Sequence, residues 1–106
     1  MGITFKQFQS KANQVDIHPK KDDRPWEYAL TGLLSESGKF SKNLEDGLVK
    51  GKLSAEEREK AIESAWMSLW CLAVACHHAG ISLEEVAERG FAELDRIGDD
   101  FIPKKE

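Results

Sequence analysis

Residues Ser54 to Ala79, SAEEREKAIESAWMSLWCLAVACHHA, pass without a helix breaker from a charged turn into the most apolar stretch of the chain. Ser54 followed three residues later by Glu57 has the form of a capping box, in which hydroxyl and carboxylate satisfy amides that the first helical turn leaves unpaired. Gly80 supplies the stop, because glycine enters the left-handed C′ conformation without steric cost. The stretch therefore reads as one long central helix. Ala61, Ile62, Ala65, Trp66, Leu69, Trp70, Leu72, Ala73, Val74 and Cys76 make its second half apolar on nearly every side, the mark of a helix enclosed by others. At about 1.5 Å per residue it spans on the order of 40 Å. That is more than one small chain covers alone, which predicts a subunit interface in a homodimer or homotetramer. It is not a membrane span: Ser68 interrupts the apolar run and His77-His78 ends it, short of the roughly 20 residues a bilayer requires.

Upstream, Pro25 suits the first position of a helix, with Asp23 or Arg24 at the cap. Trp26, Ala29, Leu30, Leu33, Ser37, Phe40 and Leu44 trace one face as far as Asp46, and Gly47 is expected to end the helix. Gly32 and Gly38 fall inside it, each costing roughly 1 kcal/mol relative to alanine, so a neighbouring helix is expected to pass close at both turns. Residues 47–53, GLVKGKL, read as the loop into the central helix. At the start of the chain, Thr4 and Gln7 form another capping box, and Phe5, Phe8, Ala12 and Val15 recur at helical spacing along Thr4 to Val15. The connection DIHPKKDDR, 16–24, is polar and holds a proline, as an exposed loop does. Downstream, Ser82 and Glu85 repeat the capping pattern, and Leu83, Val86, Phe91, Leu94 and Ile97 line a fourth helix with an expected bend at Gly90. The tail from Gly98 is expected to fray, as are residues 1–3. Four helices, short links and no strand signal predict a single all-α domain, a four-helix bundle over 1–106.

The 106 residues carry a net charge of −4, with 41% hydrophobic and 32% charged residues, as a globular soluble protein does. No basic cluster interleaves with aromatics, so nucleic acid is not an expected partner, although a nucleotide reached through a metal ion is left open. The opening MGITFKQFQSK lacks the apolar run of a secretory signal. Cys71 and Cys76 fall on the central helix, where free thiols behave as small hydrophobes. Both features predict a reducing cytoplasm. Lys6 in place of serine or threonine breaks the myristoylation pattern. His77-His78 beside the two cysteines does not make a zinc site, since adjacent helical residues point apart and the Cys-x-x-x-x-Cys spacing is not a ligand pattern. The cluster reads instead as core and as a partner of the helix dipole at the C-terminus, where cations are favoured. Trp26, Trp66 and Trp70 read as core, with stacking on a base as the functional alternative, and Glu84, Glu85 and Glu88 as a solvated face.

The pieces WEYALTGLLSESGKF (26–40), SLWCLAVACHHAGISLEEVAE (68–88) and TFKQFQSKANQV (4–15) together resemble the MazG-like all-α nucleoside triphosphate pyrophosphohydrolases. The resemblance covers about the first nine-tenths of the chain. Its most specific parts are Gly32-Leu33 leading into Glu36-Ser37-Gly38, and Leu69-Trp70 followed by Gly80-Ile81-Ser82-Leu83-Glu84-Glu85-Val86. It implies two facing helices that present four carboxylates around Mg²⁺, a hard ion that takes oxygen ligands and substrate phosphates. It also implies cleavage of a triphosphate between its α and β phosphates by metal-activated water, releasing pyrophosphate.

Carried over position by position, the resemblance keeps Glu36 but finds Ser35 and Lys39 where the family has acids, and Ser64 and Met67 at the second helix's Glu-x-x-Asp positions. Glu63 lies one residue out of register, about 100° around the helix. One matched carboxylate of four does not hold a dication against its hydration. The chain thus reads as a divergent member with lost or weakened pyrophosphohydrolase activity, binding a nucleotide or a protein through the former cleft at Lys39, Ser64 and Met67. The rival reading is an active Mg²⁺-dependent enzyme with rearranged ligands, in which Glu36 and Glu63 serve as catalytic and metal-binding residues. A third is a helical dimerisation module without a ligand.

Overall fold

The computed structural model describes the backbone of residues 2–15 and 24–101, and the described residues form four α-helices and no strand. They are α1 (Phe5–Gln14), α2 (Pro25–Val49), α3 (Ala55–His78) and α4 (Leu83–Phe101). The expected exposed loop over 16–23, the cap at Asp23 and the tail 102–106 lie outside the described residues.

Local chemistry sets three of the helix starts. Thr4 and Gln7 form the complete capping box of α1, with the Thr4 hydroxyl accepting the Gln7 amide at 3.0 Å and the Gln7 carbonyl accepting the Thr4 amide at 2.8 Å. Ser54 and Glu57 do the same for α3 at 3.1 and 2.8 Å. Ser82 caps α4 through its hydroxyl, which accepts the Glu85 amide. α2 begins with Pro25 in its first turn, and Arg24 at the cap makes no side-chain capping bond. At the end of α3, Ile81 N–H donates to the Cys76 carbonyl and Gly80 N–H to that of His77. These two bonds make a Schellman motif, closed by Gly80 at φ 74°.

The second helix overturns two expectations. It does not stop at Gly47 but runs to Val49, and the left-handed residue is Gly51 at φ 107°. Gly47 is buried and packs directly on the Leu53 side chain, where a Cβ has no room. Its small size serves packing, not termination. Gly32 is crowded as expected, since a Cβ there would lie 2.7 Å from Cys71 Sγ, but Gly38 has open space around it. In α4, Gly90 does not interrupt the helix, and the helix continues through Gly98 to Phe101.

α2 and α3 pack against each other along their length, α1 lies on α3, and α4 touches α1. Gly32 meets Cys71 near one end of the α2–α3 pair, and Gly47 meets Leu53 at the other, so the two helices run antiparallel. The core is built from small side chains. Ala12, Ala29, Ala73, Val74 and Leu83 form its buried cluster, with Phe8, Leu69, Trp70 and Leu72 packed around it. Small residues let helix axes approach closely, but they leave little room for large ones. Trp26 and Trp66 are therefore not core as expected; both indoles are substantially exposed.

The fourth helix leaves α3 at an angle of 106°. The radius of gyration is 17.0 Å, against about 13 Å for a compact domain of this length. Phe91 and Leu94 on α4 are 77% and 70% exposed in consequence. Among the described residues no single helix is long and apolar enough to cross a membrane.

Candidate functional site

Helical periodicity brings one set of α2 and α3 side chains to a common cleft. On α2, Tyr28, Thr31, Gly32, Ser35 and Glu36 recur at three- and four-residue intervals, which places them on one face. On α3, Met67, Trp70 and Cys71 do the same. Together with Glu27 they line a cleft of about 500 Å³. Gly32 is what brings its floor together, because the cysteine sulfur occupies the space a side chain at 32 would need.

The charge in this cleft is arranged around Glu36. Its side chain is only 16% exposed, and Oε2 receives Lys39 Nζ at 3.2 Å, while Lys39 itself is 63% exposed. The lysine thus reaches in from solvent and neutralises the carboxylate at the cleft edge. Burial pushes the Cys71 thiol pKa up, and the negative charge of Glu36 raises it further. Both effects disfavour the thiolate, so Cys71 is a neutral, weakly nucleophilic group here.

The sequence-derived site residues separate in space. Glu36 and Met67 line the cleft, and Lys39 pairs with Glu36 at its margin. Ser64 is buried, 6% exposed, and is not among the cleft-lining residues. Its carbonyl accepts the Ser68 hydroxyl at 2.8 Å, one turn on. Glu63, the neighbouring residue, is exposed and likewise absent from the lining. Tyr28, Thr31, Trp70 and Cys71 join the site. Stepping three or four residues back from Glu36 and forward from Met67 finds them, because a cleft between two helices is lined by whole faces.

Mg²⁺ requires hard oxygen ligands in near-octahedral array. The cleft offers two carboxylates, each already paired with a cation, Glu27 with Arg24 and Glu36 with Lys39, beside two hydroxyls, a thioether, a neutral thiol, an indole and a phenol. That donor set does not fit the ion. Trp70, Tyr28 and Met67 give the cleft apolar surface, and Ser35 and Thr31 give it hydroxyls. Comparison with protein families, with curated proteins and with solved structures finds no match.

Proposed function

We propose that this chain is a divergent MazG-like protein that binds a nucleotide through the α2–α3 cleft without cleaving it. The supporting observation is the pairing of Glu36 with Lys39 beside Met67 and Cys71. A lysine stands where a metal's charge would act, and the facing helix supplies sulfur-bearing side chains. The resemblance at Gly32-Leu33 and Leu69-Trp70 supports the family reading, and the four-helix order agrees with it.

Within this reading each residue has a definite task. Trp70 and Tyr28 supply aromatic surface for the base, Met67 adapts to its outline, and Thr31 and Ser35 offer hydroxyls to its polar edge. Lys39 and Arg24 are engaged by Glu36 and Glu27 and offer little net positive charge to a triphosphate, so the base and sugar contribute most of the affinity. Within the cleft lining, Glu36 is held by Lys39, Glu27 is paired with Arg24, and Cys71 is neutral, which disfavours their acting as a base toward water.

The test is pyrophosphate release from the common ribo- and deoxyribonucleoside triphosphates with millimolar Mg²⁺. The expected result is no release above background while nucleoside binding is retained. Metal-dependent turnover that Glu36→Gln abolishes would establish the rival enzyme instead. Self-association, as a homodimer or homotetramer, belongs to the same proposal.

A further inference from the structure

A second hollow lies on the opposite side of Trp70. Phe8, Ala12 and Val15 of α1 and Trp66 and Trp70 of α3 line an apolar groove of about 280 Å³, with Lys11 at its edge. Trp66 stacks on Trp70 with ring centroids 6.1 Å apart and planes inclined by 25°, yet its side remains 47% exposed. Such a stacked aromatic pair open to water is an unfilled contact surface.

The same chain carries a ridge without a groove. Val86, Phe91, Leu94 and Ile97 form an apolar stripe on α4, and all four are exposed. The helix cannot swing freely onto its own groove, because Gln9 fixes its first turn. Gln9 Oε1 accepts the Leu83 amide at 2.9 Å, while Nε2 donates to the carbonyls of Ala73 and Ile81 at 3.1 Å each. With α4 directed 106° away from α3, neither Phe91 nor Leu94 reaches the groove of its own chain.

We infer that α4 of a second copy fills the groove between α1 and α3, and that the exchange is reciprocal. Charge selects this occupant. α1 carries Lys6 and Lys11 and no acid, whereas α4 carries seven carboxylates and two arginines. Two α4 helices laid together would gather acids on both sides of the seam, which is unfavourable; α4 laid beside α1 brings Lys11 against them. A single ridge-in-groove contact is heterologous, but a two-fold axis closes it into a dimer with two such contacts. Trp70 lines both hollows, so the partner's α4 forms the support behind one wall of the ligand cleft. The inference rests on the proposed self-association and not on what the cleft binds.

Sedimentation of the full chain and of two single variants tests it. Leu94→Glu breaks the ridge and Val15→Glu breaks the groove; both positions are exposed, and retained helical circular dichroism confirms the fold. Each variant alone should associate at least roughly thirtyfold more weakly than wild type, the effect of losing one strong interface anchor. An equimolar mixture should regain heterodimer, because one intact ridge meets one intact groove. A wild-type dimer that neither variant weakens, or a mixture that stays monomeric, would overturn the exchange while leaving self-association standing. A monomeric wild type would remove both.

Discussion

The side-chain amide of Gln9 accepts the backbone N–H of Leu83 at 2.9 Å, and through its other end donates to the carbonyls of Ala73 and Ile81. One residue of α1 therefore joins the last turns of α3, the Gly80 turn and the first turn of α4.

Replacing it shows how much that junction matters. Gln9→Ala leaves the Leu83 amide unpaired at a part-buried position, and a lost partner of this kind costs about 1–3 kcal/mol. The expected result is a lowered denaturation midpoint and faster amide exchange at Leu83. Unchanged exchange at that amide would show that the α3–α4 angle does not depend on Gln9.

Gly32 and Cys71 are coupled by lack of space. Gly32→Ala should gain about 1 kcal/mol of helix propensity but push against Cys71 Sγ, and overpacking typically costs about 1–3 kcal/mol. The net effect expected in the wild-type background is destabilising. In a Cys71→Ala background the same substitution should stabilise. A double-mutant cycle on denaturation midpoints measures the difference, and equal effects in both backgrounds would mean that the thiol simply rotates away.

Glu57 gives a pH dependence of definite sign. Hydrogen bonds from Lys50 Nζ and from the Ser54 amide lower its pKa from an ordinary 4.5 to about 2. A depressed carboxylate contributes stability that is present above pH 4.5 and is lost as pH falls toward 2. Carboxyl NMR of Glu57 should show the low titration, and Lys50→Met should move it upward. Lys50 is 61% and Glu57 23% exposed, so solvent reaches the pair and salt should weaken the effect.

These junctions separate what is legible in the sequence from what is not. The capping boxes at Thr4 and Ser54 and the Gly80 stop are local, each settled by residues within a turn of one another. The fate of a glycine is not local. Gly47 and Gly51 look alike in sequence, but only Gly51 takes the left-handed conformation, while Gly47 is required by the Leu53 side chain folding back from the next segment. Trp66 likewise reads as core from its apolar neighbours, yet its exposure depends on where α4 goes. In the cleft, Glu36 and Lys39 are three residues apart on one helix, so their pairing is readable. Ser64 is assigned to the cleft by family position, but the lining of α3 runs through 67, 70 and 71, and Ser64 lies buried outside it.

The same geometry says how metal affinity could be built. Lys39→Glu with Met67→Asp places two new carboxylates beside Glu36, and repulsion among them should lower the melting temperature of the metal-free variant. Millimolar Mg²⁺ or Mn²⁺ should then raise it, since a ligand of the native state stabilises by mass action. Wild-type melts should coincide with and without the metal. A metal-dependent rise of several degrees in the wild type would mean that its own donors suffice.

The most direct measurement of the central claim is a two-dimensional ¹H–¹⁵N titration of the wild-type chain with nucleosides and nucleoside triphosphates, in chelator and then in Mg²⁺. The proposal predicts that a nucleoside alone, without metal, shifts the Trp70 indole N–H and the amides of Gly32 and Met67. It also predicts that adding a triphosphate chain weakens the response. Shifts that appear only with triphosphate and Mg²⁺, centred on Glu36 and Glu63, would contradict it.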